Sequence, residues 1–220
     1  MTIRLGTRRS ALARAQADIV ATALRRAWPE ATVETLVFST RGDARSGPLR
    51  EVGGKGLFCT ALEDALRDGR VDLAVHSAKD LPAKLDGDMV LAAVPVRGDP
   101  RDALVSPQGG APEDLPAGAR VGTGSPRRAA QLRAIRDDLA IVPLRGNVDT
   151  RLAKVLDDRE ALDAAVLAAT GLERLGLMQR RAGCIRPLEV ERFVPAAGQG
   201  ALAVEVHADR AAARHWAGAI

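Results

Sequence analysis

Short apolar segments alternate along the chain with longer segments in which apolar residues recur at helical spacing. The first apolar segment covers residues 3–7, and a helical pattern follows from Ser10 to Ala27. Further strand-like segments lie at 32–38, 71–75, 89–96, 103–106, 140–144, 163–168 and 201–206, with helical patterns at 57–67 and 209–216. This alternation predicts an α/β fold.

Two stretches of the sequence resemble each other and indicate two lobes of similar plan. Residues 4–10 and 120–128 each read as a strand, a Gly-Thr pair, a polar turn and the start of a helix. Ser10 and Ser125 are suitable N-caps, as is Asn147 further along the chain, and Pro126 suits the first helical position. We therefore predict one lobe from residues 1–98 and 196–220, and a second lobe from residues 99–195.

The composition excludes several classes of protein. The net charge is +4, but the chain has three Phe, two Trp and no Tyr, which argues against a nucleic-acid binder that stacks bases. Neither cysteine belongs to a C-x-x-C pair and the three histidines are far apart, so no metal site or disulfide framework is predicted. No signal peptide or membrane-spanning run is visible, and a cytoplasmic, monomeric protein is expected.

The strongest chemical signal follows the strand predicted at 71–75. His76, Ser77, Lys79 and Asp80 come together where that strand is expected to end. Ligands of open α/β sheets lie beyond the carboxyl ends of strands, which favours a functional site at this point. The alternative is an ordinary solvated Lys-Asp pair on the surface.

Arginines recur just after predicted strands. Two of them, Arg127 and Arg128, fall in the first turn of the helix capped by Ser125, where free N–H groups and guanidiniums favour an anion. Eight arginines placed alike predict one polyanionic ligand in a cleft. They are Arg8, Arg41, Arg101, Arg127, Arg128, Arg145, Arg151 and Arg174. A glycine-rich loop at 53–56 adds Lys55.

Nine motifs occur in the order and spacing of one known family. They are T-R-R-S, T-R-G-D, G-G-K-G-L-F, H-S-A-K-D-L-P, D-P-R-D-A, G-T-G-S-P-R-R, L-R-G-N-V-D-T-R-L, G-L-E-R-L-G-L and P-A-A-G-Q-G-A. In these motifs the chain resembles the porphobilinogen deaminase (hydroxymethylbilane synthase) family. The resemblance implies two periplasmic-binding-protein-like lobes of type II, joined by two crossing segments, with an active-site cleft between them. It also implies head-to-tail condensation of four porphobilinogen molecules with release of ammonia, in tetrapyrrole biosynthesis.

The resemblance also implies roles for individual residues. Asp80 is expected to be the catalytic carboxylate, buried and assisted by Lys79. The residues expected to bind substrate and cofactor are Arg8, Ser10, Gln16, Lys55, Phe58, Ser77, Thr123, Ser125, Arg127, Arg128, Arg145, Gly146, Arg151, Arg174 and Gln199.

The family's third domain carries the cysteine to which a dipyrromethane cofactor is attached, and the 220 residues match only the first two domains. Cys59 and Cys184 do not match the attachment site, and Cys59 falls at core spacing with Leu62 and Leu66. We therefore expect dipyrromethane to bind this chain noncovalently. Two alternatives stay open: a non-catalytic two-lobed binder of porphobilinogen or a polypyrrole, and an inactive fragment.

Overall fold

The computed structural model describes residues 1–39, 59–157 and 162–220. They form two compact units, a first lobe of Met1–Arg97 with Ala201–Ile220 and a second lobe of Gly98–Gly200. The first crossing between lobes follows residue 97, where the sequence predicts residue 98. The return crossing follows residue 200, where the sequence predicts residue 195. Each lobe is described separately below.

The elements follow one another in an α/β order. The first lobe begins with β1 (Thr2–Arg8), α1 (Ala11–Ala27), β2 (Thr32–Phe38), α2 (Thr60–Arg67), β3 (Leu73–Ser77) and β4 (Met89–Ala93). The second lobe contains β5 (Asp102–Val105), β6 (Arg120–Gly122), α3 (Pro126–Ile135), β7 (Ala140–Val142), α4 (Val148–Leu156), β8 (Ala164–Ala168), α5 (Ala169–Arg174), α6 (Leu177–Arg180) and β9 (Ile185–Pro187). The chain returns to the first lobe with β10 (Leu202–His207) and α7 (Ala211–Ala217).

The two sheets have the same topology. The strand order is β2-β1-β3-β10-β4 in the first lobe and β7-β6-β8-β5-β9 in the second. In each sheet the first three strands are parallel, and the fourth runs antiparallel to both neighbours. The fourth strand of each sheet, β10 or β5, is the one that the chain adds just after it crosses between lobes.

Helix caps form where the sequence predicts them. The Ser10 side chain accepts a hydrogen bond from the Ala13 amide at 3.2 Å, and Ser125 accepts one from the Arg128 amide at 3.4 Å. Asn147 accepts one from the Thr150 amide at 2.9 Å. Each cap satisfies an amide that the first helical turn leaves without a partner, and so fixes where the helix begins.

The cores lie on both faces of each sheet. In the first lobe α1 and α7 cover one face, where Val20 and Leu24 pack on Ile3 of β1, while α2 covers the other with Leu62 and Leu66. The second lobe has a similar division of its core between the two faces. With the faces covered, the carboxyl ends of the strands are a place where polar groups can reach a ligand.

The structure differs from the sequence in two details. The strand predicted at 71–75 is present with its bounds shifted to Leu73–Ser77, because His76 and Ser77 pair with β10. Thr170 and Gly171, a pair that predicts a turn before the helix of Arg174, instead belong to α5, which starts directly after β8.

Candidate active site

The turn that carries Lys79 and Asp80 follows directly from the end of β3. Ala78–Asp80 form a 3-10 turn, closed by a hydrogen bond from the Leu81 amide to the Ala78 carbonyl at 3.2 Å. The Ala78 amide donates to the Ala201 carbonyl at 3.1 Å, just before β10 begins. The turn is thus held by its backbone at the carboxyl end of β3.

Asp80 is not the buried carboxylate expected from the sequence. Its side chain is exposed, because the turn projects beyond the last paired residue of the strand. Within the described ranges, no hydrogen bond or ion pair engages the Asp80 carboxylate. Lys79 is exposed as well, although it has a polar partner in the protein. An exposed carboxylate on a fixed turn is available to a ligand.

Other predicted residues lie at the same sheet edge. The Gln16 side-chain nitrogen donates to the Ser77 hydroxyl at 2.8 Å, and Gln16 itself is buried in α1. Arg8 ends β1, which runs parallel to β3, so both strands bring their carboxyl ends to this edge. The Ser10 hydroxyl caps α1, and its predicted contact with a ligand stays a prediction.

The corresponding edge of the second lobe is organised around the start of α3. Ser125 caps this helix, and the Thr123 hydroxyl accepts a hydrogen bond from the Ser125 amide at 3.1 Å. Both hydroxyls are therefore used to shape the turn. Their predicted contacts with a ligand stay predictions.

Asp102 is the residue of this edge that the sequence analysis missed. It is fully buried and accepts from the Arg127 guanidinium at 2.6 Å, from Arg128 at 2.6 and 3.0 Å, and from the Gln199 amide at 2.9 Å. Arg128 also donates to the Val166 carbonyl at 3.0 Å, and Arg127 donates to that of Val194. One feature of the sequence could have indicated this residue. Asp102 is the first residue of an otherwise apolar strand and directly follows Pro100 and Arg101.

The electrostatics of Asp102 follow from its partners. Burial by itself would raise the pKa of this carboxyl, but the charge of Arg128 and the hydrogen bonds from Arg128, Arg127 and Gln199 outweigh it, and the pKa lies below its ordinary value. One carboxylate faces two guanidiniums, so the group keeps a net positive charge. Arg128 is almost fully buried and holds the fold together here; its ligand contact stays a prediction.

Arg145, in contrast, is a cation available to an anion. It follows β7 and is half-buried, and within the described part of the chain no hydrogen bond or ion pair engages its guanidinium. The neighbouring Gly146 has φ of +110°, and a Cβ there would lie 2.8 Å from Thr150 Cβ, so the turn requires glycine. The Gly146 carbonyl accepts from Arg151 at 2.8 Å, which directs Arg151 back to the same turn.

Arg174 is a second cation without an acidic partner among the described residues. Its guanidinium donates to the Gly200 carbonyl at 2.7 Å, and burial lowers the pKa of Arg174. The buried hydroxyl of Thr170, one helical turn earlier in α5, has no hydrogen-bond partner in the described structure. A desolvated guanidinium beside an unsatisfied hydroxyl fits a carboxylate ligand. The donor set of this chain is therefore chemically suited to the acetate and propionate groups of a pyrrole.

Three predicted residues lie outside the described ranges: Arg41, Lys55 and Phe58. Where the structure describes the chain, it contains no cluster of His, Cys, Asp or Glu that could hold a metal ion. No helix in those ranges is long and apolar enough to cross a membrane.

Cys59, the cysteine nearer to Asp80 in sequence, is buried beside the core, as its spacing predicts. Its side chain is fully buried, and its thiol lies 3.9 Å from the Asp80 carbonyl. Burial, together with the charges of Glu63, Glu205 and Asp80, raises the pKa of Cys59 to about 12. Since the thiolate is the nucleophile, this cysteine is poorly suited to attack a pyrrole.

We expect the 220-residue polypeptide, incubated with porphobilinogen or dipyrromethane, to keep the mass of the bare chain under denaturing conditions. The reason is that Cys59 is protonated and enclosed, while the Cys184 thiol lies 3.7 Å from the Pro107 carbonyl in the second lobe. Intact-mass spectrometry checks this. A mass increase equal to a dipyrromethane would contradict it, and peptide mapping would then identify the modified cysteine.

The comparisons with known proteins show the family from sequence and the fold from solved structures. Residues 3–215 match the family model described as "Porphobilinogen deaminase, dipyromethane cofactor binding domain". The porphobilinogen deaminase of Roseiflexus sp. (strain RS-1) is 53% identical over 209 residues, which is 94% of this chain and 67% of the relative. That of Burkholderia thailandensis is 52% identical over 217 residues, 98% of this chain and 64% of the relative. The chain thus spans about two thirds of the length of these relatives.

Solved structures of low sequence identity share the fold. The periplasmic VFT2 domain of BvgS from Bordetella pertussis superimposes with a TM-score of 0.53 at 14% identity, covering 99% of this chain and 86% of that one. The periplasmic aliphatic sulphonate binding protein SsuA from Escherichia coli gives a TM-score of 0.50 at 19% identity, covering 96% and 63%.

Fold and site together define an α/β protein of the type II periplasmic-binding-protein class, with guanidiniums placed at the ends of its strands. Within that class the family follows from the sequence relatives. The chain belongs to the porphobilinogen deaminase family, the hydroxymethylbilane synthases, which are transferases of tetrapyrrole biosynthesis that act on porphobilinogen.

Proposed function

We propose that this chain itself catalyses the condensation of porphobilinogen, with Asp80 as its catalytic carboxylate and with dipyrromethane bound noncovalently. The observation that carries the proposal is the exposed carboxylate of Asp80, which has no partner among the described residues, on a turn fixed by the Ala78–Ala201 hydrogen bond. A protein that only bound pyrrole carboxylates would need cations and would have no use for an anion placed there.

The reaction makes specific demands on the protein. For each ring added, the C–N bond of the aminomethyl group breaks with release of ammonia. A C–C bond then forms to the free α-carbon of the acceptor pyrrole, which loses its proton. The Asp80 carboxylate can accept a hydrogen bond from a pyrrole N–H and stabilise the cation left when ammonia departs. Dipyrromethane, when bound, supplies the acceptor pyrrole.

Binding is assigned to the cations of the described structure. Arg145 and Arg174 lack acidic partners among the described residues, and Arg127 is positioned by Asp102, so each can pair with acetate or propionate groups. Ser77 and Gln16 bond to each other at the edge that carries Asp80. A monomeric state and a cytoplasmic location complete the proposal.

The test is porphobilinogen consumption by the 220-residue polypeptide supplied with dipyrromethane. We expect consumption with formation of hydroxymethylbilane, and we expect Arg145→Leu to weaken dipyrromethane binding by about tenfold to a hundredfold. That loss corresponds to one charge-assisted contact of roughly 1.5–3 kcal/mol. Unfolding without ligand is expected to stay unchanged, because Arg145 makes no ion pair within the described structure. Calorimetric titration and thermal unfolding measure both effects.

Arg133→Leu is the matched control, since Arg133 is an exposed arginine of α3 in the same lobe. An equal loss of binding in this control would show a general effect of charge rather than a site at Arg145. Dipyrromethane binding without porphobilinogen consumption would favour the non-catalytic binder. Absence of both would contradict the proposal.

A further inference from the structure

A group of ionisable side chains lies buried between α2 and the sheet of the first lobe. His76 belongs to β3, Glu205 to β10 and Glu63 to α2, and all three are almost fully buried. Nothing in the proposed chemistry uses them. Buried charges are expensive unless they are paired, so their presence here calls for a role.

The strand register explains how His76 and Glu205 meet. Glu205 pairs with Ala74 across the antiparallel ladder, and His76 lies two residues further along β3, on the same face as Ala74. That face packs on α2, because Ala74 belongs to the core cluster with Leu62 and Ala65. Both side chains are therefore enclosed by the helix on one side and the sheet on the other.

The contact between the two side chains is close. His76 Nε2 lies 3.0 Å from Glu205 Oε2, with side-chain exposures of 3% and 0%. Neither atom has a hydrogen-bond partner among the described residues, since the angle between the two groups is unfavourable as they stand. A small rotation of the imidazole is enough to align a hydrogen bond at this distance. Each group is thus the nearest available partner of the other.

Glu63 is the third side chain of this buried group, and its surroundings differ from those of Glu205. Burial raises the pKa of Glu63, and the charge of Glu205 raises it further, against weaker opposing effects of Arg67 and His76. Glu63 has no close contact with an imidazole in the described structure, whereas the Glu205 carboxyl group lies against His76. Glu205 is therefore the member of the group that joins β10 to β3.

The pair lies next to the turn that carries Asp80. His76 immediately precedes Ser77 and the Ala78–Asp80 turn, and β10, which carries Glu205, begins one residue after the Ala201 carbonyl that holds the Ala78 amide. The contact between His76 and Glu205 joins the same two strands that hold the turn. A shift of one strand along the other would move Asp80, and a displacement of about 1 Å can cost a hundredfold in rate.

We propose that the buried contact between the His76 and Glu205 side chains locks β3 to β10 and thereby positions the Ser77–Asp80 turn for turnover. Both are positioning residues that act through the backbone. The effect on turnover rests on the proposed function of Asp80, whereas the lock between the strands does not.

The experiment compares His76→Gln, Glu205→Gln, the double variant and Glu63→Gln as the matched control. We expect either single variant to lower kcat by about tenfold to a hundredfold, with KM changed less than about threefold, because binding groups stay in place. We expect the double variant to be no slower than the worse single variant, as for two residues that act as one unit. Glu63→Gln changes a buried carboxyl of the same group that has no close contact with His76 in the described structure, and it is expected to turn over like the parent chain.

Hydrogen exchange at the Ala78 amide gives a readout that does not depend on turnover. We expect this amide to exchange at least about tenfold faster in both single variants, while amides of β1 keep their parent rates. A lobe that was merely destabilised would lose protection throughout.

Unchanged Ala78 exchange would overturn the proposal, as would additive losses of kcat or an equal effect of Glu63→Gln. If the parent chain shows no turnover, the proposed function fails and Ala78 exchange still decides the lock. If Glu205→Gln does not fold, His76→Gln decides it.

Discussion

Replacing Asp80 by asparagine is expected to lower kcat by a factor of about 10²–10⁴, a range typical of losing a group that transfers protons or stabilises charge in the transition state. Asparagine keeps the size of the side chain and removes the negative charge. The fold is expected to survive, because the carboxylate is exposed and makes no hydrogen bond or ion pair with the described residues. Dipyrromethane binding, which depends on cations, is expected to change little.

Steady-state kinetics and thermal unfolding check this expectation together. Asp80→Glu keeps the charge in a displaced position and is expected to lose less activity than Asp80→Asn. Asp68→Asn is a control with the same chemical change at an exposed carboxylate of the same lobe, one that pairs with Arg70. Near-parental turnover of Asp80→Asn would remove Asp80 from the mechanism.

Replacing Asp102 by asparagine is expected to lower the free energy of unfolding by about 3–5 kcal/mol, the cost of removing one partner of a buried ion pair. The guanidinium of Arg128 is nearly fully buried, and without the carboxylate it keeps no anionic partner in the described structure. Urea unfolding measures the loss. Asp138→Asn is the matched control, because Asp138 pairs with Arg136 at the surface and is expected to cost much less.

The stability difference between parent and Asp102→Asn is also expected to depend on pH. The folded-state pKa of Asp102 lies below the ordinary value of 3.8, so its stabilisation is complete above that value and is lost as pH falls through the folded-state pKa. The two unfolding curves are therefore expected to converge in acid. A constant difference down to the lowest accessible pH would show that Asp102 is not the charged partner of the arginines.

The sequence by itself determined the fold class, the two lobes and the family. Short apolar segments alternating with longer amphipathic ones predict an α/β fold, because strands that alternate with helices leave this pattern. The caps at Ser10, Ser125 and Asn147 were also readable, since a cap involves residues only three positions apart. The motif order identified the family, which the relatives confirm.

The tertiary structure decided which charges pair. Asp102 and Arg128 are 26 residues apart, and only the packing of α3 against the second sheet brings them within 2.6 Å. The same holds for His76 and Glu205, which are far apart in the chain and meet through strand register. Sequence patterns report local periodicity, and neither contact is local.

The sequence also did not predict which charged side chains of the site are exposed to solvent. Asp80 was expected to be buried and is exposed, while Arg128, read as a ligand contact, is buried against a carboxylate. Residue type and spacing show that a charge lies near the end of a strand. Whether that charge meets solvent or an internal partner depends on where the strand ladder stops and on which neighbour lies across the sheet, and only tertiary packing sets both.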